Sequence, residues 1–395
     1  MARLIGTTAR GIRAPIVREG DDLVKITTES ILEAARQHQF ELQDRDIVGV
    51  TESLVARAQG NYVTTQQIAG EIKEKFPDSL VVLFPILSRN RFAMILQALA
   101  MSGRHIYLML NYPGDEVGNH LMDPDLMEEQ NINPYTDILT EDDYRRYFGH
   151  SFKHPFTGLD YLDLYKSLAE EGQIEIILAN DWRAALNYSR DVLIANIHDR
   201  QRLKKRLKSA GGRHIYGLDD LCRESIDGSG YNADYGLLGS NQADAGRLKL
   251  FPRDCQAFVE AVQDALRERT GRQLEVMIYG DGAFKDPQGK IWELADPVVS
   301  PGYTAGLAGT PNEIKMKYVI DNELSRLDAS EMADALRDKI RGKGTDLVGQ
   351  AASAGTTPRQ LTDLLGSLCD LVSGSGDKGT PIILVQGYFD SYAAD

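Results

Sequence analysis

The stretch LVVLFPILSRNRFAMILQALAMSGRHIYLMLNYP, residues 80–113, indicates the fold class of this chain. It begins with an apolar run of strand length at 80–87, continues with a helical segment at 89–103, and ends with a second apolar run at 105–113. A strand, a helix and another strand in succession are typical of a sheet covered by helices. We therefore predict an α/β fold with mixed sheets.

The same pattern extends on both sides of this stretch. Two acidic residues, Asp21 and Asp22, precede a predicted amphipathic helix that is followed by a buried strand beginning at Ile47. Further strands are predicted at 174–180, 191–198, 273–279 and 382–388, and a clear helix at 254–271. Strands near both ends of the chain indicate that its termini share one core.

The composition excludes several classes of protein. The chain has 395 residues, with 58 acidic against 44 basic side chains and a formal charge of -14, so a nucleic acid partner is not expected. The three cysteines, Cys222, Cys255 and Cys369, form no CxxC pair and are expected to be buried thiols in a reducing compartment. No long apolar run or signal-peptide pattern is present, so we expect no membrane partner and a cytoplasmic location.

One acidic segment, EVMIYGDGAFKDPQGKIWELADP at 275–297, follows a predicted strand. The strand ends at Gly280-Asp281-Gly282, which places the carboxylate of Asp281 at a sheet edge, where it suits a divalent cation. Asp286, Glu293 and Asp296 add three more carboxylates. The alternative is a pair of ordinary acidic turns.

A second acidic segment, NYPGDEVGNH at 111–120, also follows a strand. Asp115, Glu116 and Asn119 are oxygen ligands that would favour Mg or Mn over zinc. The alternative is a helix whose first turn carries acidic residues.

Glycine-rich loops and one arginine are candidates for anion binding. GSGYNADYGLLGSN at 228–241 contains Ser240 and Asn241, and SGSGDKGTP at 373–381 contains Lys378. Both could instead be solvated loops, and neither has P-loop or dinucleotide-binding spacing. Arg57, between a strand and Gly60, is either an anion contact or a surface arginine. The absence of G-x-S-x-G and HExxH motifs gives serine hydrolase and zinc peptidase chemistry little support.

Five segments in chain order resemble the coenzyme F-420-0:L-glutamate ligase family. GIRAPIVREGDDLVKI is similar to that family's G-I-x-x-I-x-x-G-D-D-L, and DRDIVGVTESLVARAQGN to its D-G-D-I-V-V-V-T-x-K-I-V-S-K-A-E-G. GLLGSN before LKLFPRD is similar to N-A-G-I-D-x-S-N and the proline-containing segment after it. TGRQLEVMIYGDGAF resembles T-G-x-x-V-x-V-I-I-T-D-T, and LVSGSGDKGTPIILVQG resembles L-M-G-E-G-x-x-G-I-P-x-V-V-x-R-G.

The resemblance implies an amide ligase of coenzyme F-420 biosynthesis. Such an enzyme joins L-glutamate to a carboxylate of a small coenzyme-like substrate through an acyl phosphate. The resemblance further implies GTP or ATP as co-substrate and Mg or Mn as metal, with K as a further candidate ion. It also implies a homodimer whose mixed α/β fold is unlike that of the ATP-grasp ligases. It divides the chain into a ligase-like core at 1–90 and 226–395 and an inserted α/β segment at 91–225.

The residues match the family motifs only in part. Ser240 and Asn241 match directly, and Asp281 lies within one residue of the family's aspartate in T-D-T. A metal-binding aspartate of the family falls on Leu238, and the glutamate of M-G-E-G falls on Ser375. We therefore predict Asp281 and Asp115 as catalytic residues and Asp281, Asp115 and Glu116 as metal ligands. The predicted nucleotide- or substrate-binding residues are Arg57, Ser240, Asn241, Asn119 and Lys378.

Two other functions are compatible with these residues. A nucleotide-binding relative could have kept the fold after losing metal ligands, as Leu238 and Ser375 suggest. A phosphotransferase or hydrolase could use the same Asp281 carboxylate. Acyl-phosphate chemistry depends mainly on charge neutralisation and positioning, so the lack of a nucleophilic triad is consistent with the ligase.

Overall fold

A computed structural model describes residues 4–149, 152–154, 157–280, 296–354, 359–374 and 376–393. The strands within these ranges are β1 (Thr8–Ile12), β2 (Ile47–Thr51), β3 (Tyr62–Thr64), β4 (Leu80–Leu83), β5 (Ile106–Leu110), β6 (Leu139–Thr140), β7 (Ile174–Leu178), β8 (Val192–Ile194), β9 (Ile215–Gly217), β10 (Asn241–Asp244), β11 (Arg247–Lys249), β12 (Glu275–Tyr279), β13 (Gly302–Tyr303) and β14 (Ile382–Gln386). The α-helices are α1 (Leu23–His38), α2 (Glu52–Ala58), α3 (Thr65–Lys75), α4 (Phe92–Met101), α5 (Pro124–Glu129), α6 (Glu141–Phe148), α7 (Tyr161–Lys166), α8 (Arg200–Ser209), α9 (Cys255–Thr270), α10 (Met316–Asn322), α11 (Ala329–Arg341) and α12 (Leu361–Val372). The predicted α/β fold with mixed sheets is confirmed.

The first sheet joins the two ends of the chain. Its strand order is β1-β14-β2-β12-β13, and β2 runs parallel to β12 while the other pairs are antiparallel. Alternate residues of each strand face opposite sides: Val48 and Val276 pack with α1 and α9, whereas Ile47 and Met277 pack with α12. Period-two alternation between two apolar faces therefore buries this sheet between helices.

Helix α1 begins as its sequence predicts. The side chain of Asp22 accepts a hydrogen bond from the backbone N–H of Lys25 at 3.0 Å, which satisfies one of the otherwise unpaired donors of the first turn. The helix ends at Gln39, which adopts a left-handed conformation.

A second, six-stranded sheet lies in the middle of the chain. Its order is β6-β7-β5-β4-β8-β9, and every pair is parallel except β6 with β7. Helices α3 and α4 pack on one face with Val82, and α8 packs on the other face with Val81. The sheet includes β4, which lies ahead of residue 91, where the inserted segment was predicted to begin.

Strand β4 is shorter than the predicted run at 80–87. It ends at Leu83, and Pro85 follows almost immediately. A proline has no backbone N–H for a strand ladder, so the chain leaves the sheet there although the sequence stays apolar.

A third sheet connects the other two. Its order is β10-β11-β3, with antiparallel pairing throughout. Leu248 of β11 and Val63 of β3 belong to the same apolar cluster as Leu80 of the parallel sheet. The backbone N–H of Gln242 also donates to the carbonyl of Asn90 at 2.7 Å, which fixes β10 against the loop after β4.

In the described part of the chain, the structure contains no helix long and apolar enough to cross a bilayer.

Candidate functional site

The carboxyl ends of β2 and β12 gather polar residues at one edge of the first sheet. The two strands are parallel neighbours, so Glu52 after β2 and Gly280 after β12 leave the sheet side by side. Strand β14 is antiparallel to β2, which brings the end of the 373–381 loop to the same edge, where the N–H of Thr51 donates to the carbonyl of Pro381 at 3.1 Å. Three segments distant in sequence therefore meet here.

Glu52 is a buried acid at the start of α2. It is 8% exposed and accepts a hydrogen bond from the hydroxyl of Thr51 at 2.8 Å. Burial raises the pKa of its carboxyl, the nearby charge of Asp296 raises it further, and Lys249 opposes the shift. A buried carboxyl with a raised pKa is a common feature of functional sites.

Lys249 supplies a buried positive charge from β11. It is 7% exposed, its ammonium contacts the hydroxyl of Ser53, and its Nζ lies 3.8 Å from Oε1 of Glu52. Ser53 occupies the position of the lysine in the T-x-K part of the family motif. In this chain the ammonium beside Ser53 comes from Lys249 on β11.

Asp296 and Arg91 form an ion pair between the first sheet and the parallel sheet, in which the aspartate is buried and the arginine partly buried. Nη1 of Arg91 lies 2.9 Å from Oδ1 of Asp296, whose side chain has no exposed surface. A Cβ atom on Gly280 would lie 2.3 Å from Oδ2 of Asp296, so the carboxylate fits against β12 only because residue 280 has no side chain. Arg91 is the residue just before α4.

The predicted pair Ser240 and Asn241 lies beside this ion pair. Nη1 of Arg91 approaches the carbonyl of Gly239 at 3.5 Å, and Asn241 pairs with Lys249 across β10 and β11. Ser240 is 2% exposed, and its hydroxyl has no hydrogen-bond partner among the described residues. The structure thus brings Ser240 and Asn241 close to Arg91 and Lys249.

Several predicted residues are placed elsewhere or are outside the described ranges. Asp281, Asp286, Glu293 and Ser375 lie outside the described residues. Arg57 is exposed on α2. Lys378 is exposed and lines a separate cleft with Arg10 and Arg13.

Asp115 lies at the carboxyl end of β5, in the parallel sheet. Its oxygens accept four hydrogen bonds, from the backbone N–H groups of Leu87, Val117 and Asn119 and from the side-chain amide of Asn119, at 2.7–3.0 Å. These donors occupy the directions that a metal ion would need. Asp115 therefore holds the loop after β5 against the loop after β4, and Asn119 serves the same contact.

Glu116 makes the corresponding connection to the loop after β8. It accepts hydrogen bonds from the side chain of Asn196 at 2.8 Å and from the N–H groups of Ile197 at 2.6 Å and His198 at 3.2 Å. Across the ranges that the structure describes, no three His, Cys, Asp or Glu side chains are grouped so as to hold a metal ion. The predicted role of Asp115 and Glu116 as metal ligands stays a prediction. The hydrogen bonds that their carboxylates already accept do not favour it.

The pKa of Asp115 gives a test of this structural role. Burial raises it from 3.8 to about 6, against the opposing effect of the N–H donors. The folded protein then binds this proton more tightly than the unfolded chain, so the stabilisation is complete below about pH 4 and is lost as the pH rises through 6. Relative to Asp115→Asn, which does not titrate here, the wild type should lose on the order of 2 kcal/mol between pH 4 and pH 7.5.

Urea unfolding of both proteins across this pH range measures the difference. The exposed Asp142→Asn variant is the control for the chemical change from aspartate to asparagine. A wild type that instead gains stability relative to Asp115→Asn as the pH rises would show that the four donors outweigh burial.

The sequence analysis did not single out Glu52, Lys249 or Arg91, which the structure brings together at this edge. Glu52 directly follows the buried strand β2, and this position is the one feature of the sequence that could have pointed to it. Lys249 and Arg91 carry no such signal, because their proximity to Glu52 and Asp296 depends on how the three sheets pack together.

Comparison with known proteins settles the family. The sequence profile described as F420-0:gamma-glutamyl ligase matches residues 11–387, nearly the whole chain. The chain belongs to this family. The resemblance found in the five motifs is confirmed, and the family's reaction class is carbon–nitrogen ligation. No curated protein matches the chain in a sequence comparison.

One departure from the family motif has a clear structural basis. Leu238, at the position of the family's aspartate, is 1% exposed and packs in the apolar cluster of the parallel sheet. An apolar side chain there supplies no ligand, so any metal bound by this chain takes its oxygens from other residues.

Proposed function

We propose that the protein is a nucleotide-dependent ligase that joins L-glutamate or a similar amino acid to a carboxylate of a small coenzyme-like substrate. The family match over residues 11–387 supports the reaction class. The observation that supports placing the reaction at this site is the clustering of two buried acids, Glu52 and Asp296, with a buried cation, Lys249, and a partly buried one, Arg91. Such a cluster suits a reaction whose main requirement is electrostatic.

The proposed reaction has two steps. A carboxylate oxygen of the acid attacks the terminal phosphorus of GTP or ATP, the nucleoside diphosphate leaves, and an acyl phosphate forms. The amine of the amino acid then attacks the acyl carbon, phosphate leaves, and the amine gives up a proton. Lys249 would neutralise the phosphoryl oxygens, and ionised Glu52 is the candidate to receive the proton.

Two carboxylates at this edge, Glu52 and Asp296, are the candidates to help hold a hard divalent cation. Burial and the charge of Asp296 raise the pKa of Glu52, and a bound cation would offset the repulsion between the two acids. When bound, Mg²⁺ or Mn²⁺ would neutralise charge on the transferred phosphoryl group. Asp281 directly follows Gly280 and stays a predicted ligand, as K⁺ stays a predicted ion. The homodimer and the cytoplasmic location also stay predictions.

The wild-type protein provides the direct test. Incubated with GTP or ATP, Mg²⁺ or Mn²⁺ and a panel of small carboxylic acids, it should release phosphate faster when L-glutamate is added. Mass spectrometry should detect an adduct with the mass of the acid plus glutamate minus water. Absence of a nucleotide-induced thermal shift with either metal would rule the proposal out.

Leu238 supports a second candidate function. A relative that binds nucleotide without catalysing ligation would show the thermal shift and release no phosphate. Phosphate release that ignores the amino acid would instead indicate a hydrolase. Mass analysis of small molecules that copurify with the protein would identify the acceptor class.

A further inference from the structure

In the parallel sheet, the direction in which successive strands are added reverses between β4 and β8. Counted in chain order, its five parallel strands lie in the order 3-2-1-4-5. Helix α4, which follows β4, packs on one face of the sheet, whereas α8, which follows β8, packs on the other. The two connections therefore diverge and leave a crevice at the carboxyl ends of β4 and β8, which is where open α/β sheets bind ligands.

A cavity of about 40 Å³ lies in this crevice. Ile86 and Phe92 line it from the β4 side, Ala195 and Ile197 from the β8 side, and Leu238 from the core. The walls are thus mostly hydrocarbon. Since roughly 10–15 Å³ of cavity volume of this kind accommodates one water molecule, the space suits a short aliphatic group and is too small for a ring system.

Three polar residues line the cavity, Ser88, Arg91 and Ser240, and the last two lie where it meets the site described above. Arg91 and Ser240 both line it, and Arg91 is the residue paired with Asp296. The Ser240 hydroxyl is buried and, among the described residues, has no hydrogen-bond partner. A buried hydroxyl without a partner is destabilising, so its presence is explained if a ligand supplies the missing partner.

The loops around the cavity are held in place before any ligand arrives. Asp115 joins the loop after β5 to Leu87, beside the cavity, and Glu116 joins the same loop to Ile197, which lines it. A fixed pocket binds with less loss of conformational freedom than a mobile one.

We propose that this cavity binds the short aliphatic end of the carboxylic acid that the enzyme activates. Ser240 donates a hydrogen bond to the acid, and the carboxylate points toward Arg91 and Lys249 at the edge of the first sheet. This assignment rests on the proposed ligase function and narrows its acceptor to acids with a small, uncharged aliphatic end. The segment around the parallel sheet thereby contributes acceptor specificity.

Binding to the full-length protein tests the cavity without requiring turnover. Calorimetric titration with propionate and isobutyrate should show saturable binding in the presence of nucleotide and Mg²⁺, at least about tenfold tighter than benzoate. Ala195→Val, which fills the cavity, should weaken isobutyrate binding at least about tenfold. The exposed Ala210→Val is the matched control and should bind as wild type does.

Ser240→Ala separates a ligand-binding role from a structural one. If the Ser240 hydroxyl forms its hydrogen bond only with the bound acid, the variant is as stable as wild type or more stable. It nevertheless binds isobutyrate about tenfold more weakly. Lower stability with unchanged binding would overturn the assignment, as would equal binding of benzoate and isobutyrate. This variant keeps the test valid if Ala195→Val fails to fold.

Measuring both the binding of short acids and the release of phosphate distinguishes a failure of the cavity assignment from a failure of the ligase function. Amino-acid-dependent phosphate release with no binding of short acids would overturn the cavity assignment and leave the ligase intact. Binding of short acids that depends on Ser240, with no such release, would overturn the ligase and leave the binding site intact.

Discussion

The variant Lys249→Met is expected to lower the rate of amino-acid-dependent phosphate release by a factor of about a hundred or more. Loss of one preorganised charge or donor at a reacting phosphoryl or carbonyl group has costs of this size. The Lys249 ammonium is buried beside Ser53 and Glu52, so solvent cannot replace it. Steady-state kinetics of phosphate release measures the effect, with circular dichroism to verify the fold.

Two further variants test whether loss of the Lys249 charge causes the lower rate of phosphate release. Lys205→Met removes an exposed lysine on α8 and should leave the rate unchanged. The double variant Ser53→Lys, Lys249→Met supplies an ammonium from the neighbouring position and should recover a measurable part of the lost rate. A folded Lys249→Met protein with the wild-type rate would exclude Lys249 from the reaction.

The second large effect concerns the ion pair that joins the first sheet to the parallel sheet. Arg91→Met should reduce the free energy of unfolding by about 3 kcal/mol or more, because it removes the Arg91 cation from the fully buried carboxylate of Asp296. Adding Asp296→Asn to this variant should recover most of the loss. Urea unfolding of the single and double variants measures both quantities.

A surface pair provides the comparison. Arg183 also pairs with an aspartate, Asp181, at 2.7 Å, but its side chain is 72% exposed. Arg183→Met should therefore cost less than about 1 kcal/mol. Equal effects of Arg91→Met and Arg183→Met would mean that the buried pair does not hold the two sheets together.

The sequence was sufficient where the structure depends on local patterns. The Asp22 cap and the apolar positions of α1 identify that helix, and the apolar run at 47–50 identifies β2, because burial on both faces requires apolar residues throughout. Ser240 and Asn241 were predicted from a family motif, and the structure places the preceding residue, Gly239, beside Arg91. Their role in binding stays a prediction.

The rest of the site depends on contacts between distant segments. Lys249 faces Glu52 because β11 pairs with β3, and no periodicity within β11 indicates this. Asp115 looked like a metal ligand because a carboxylate after a strand is a common ligand. The structure shows that its oxygens are already satisfied by N–H groups, one of them from the loop after β4. Sequence spacing alone does not separate a ligand from such a tether.

The pairing of β1 with β14 and of β2 with β12 has a consequence for how the protein folds. These ladders join Thr8 to Gln386 and Ile47 to Glu275, whereas the strands of the parallel sheet lie within residues 80–217. Contacts of large sequence separation form late, and a chain emerging from the ribosome makes its amino-terminal contacts first. The parallel sheet should therefore form before β1 and β2 can pair, because their partner strands β12 and β14 follow it in the chain. Pulse-labelled hydrogen exchange during refolding should accordingly protect Val82 before Val48.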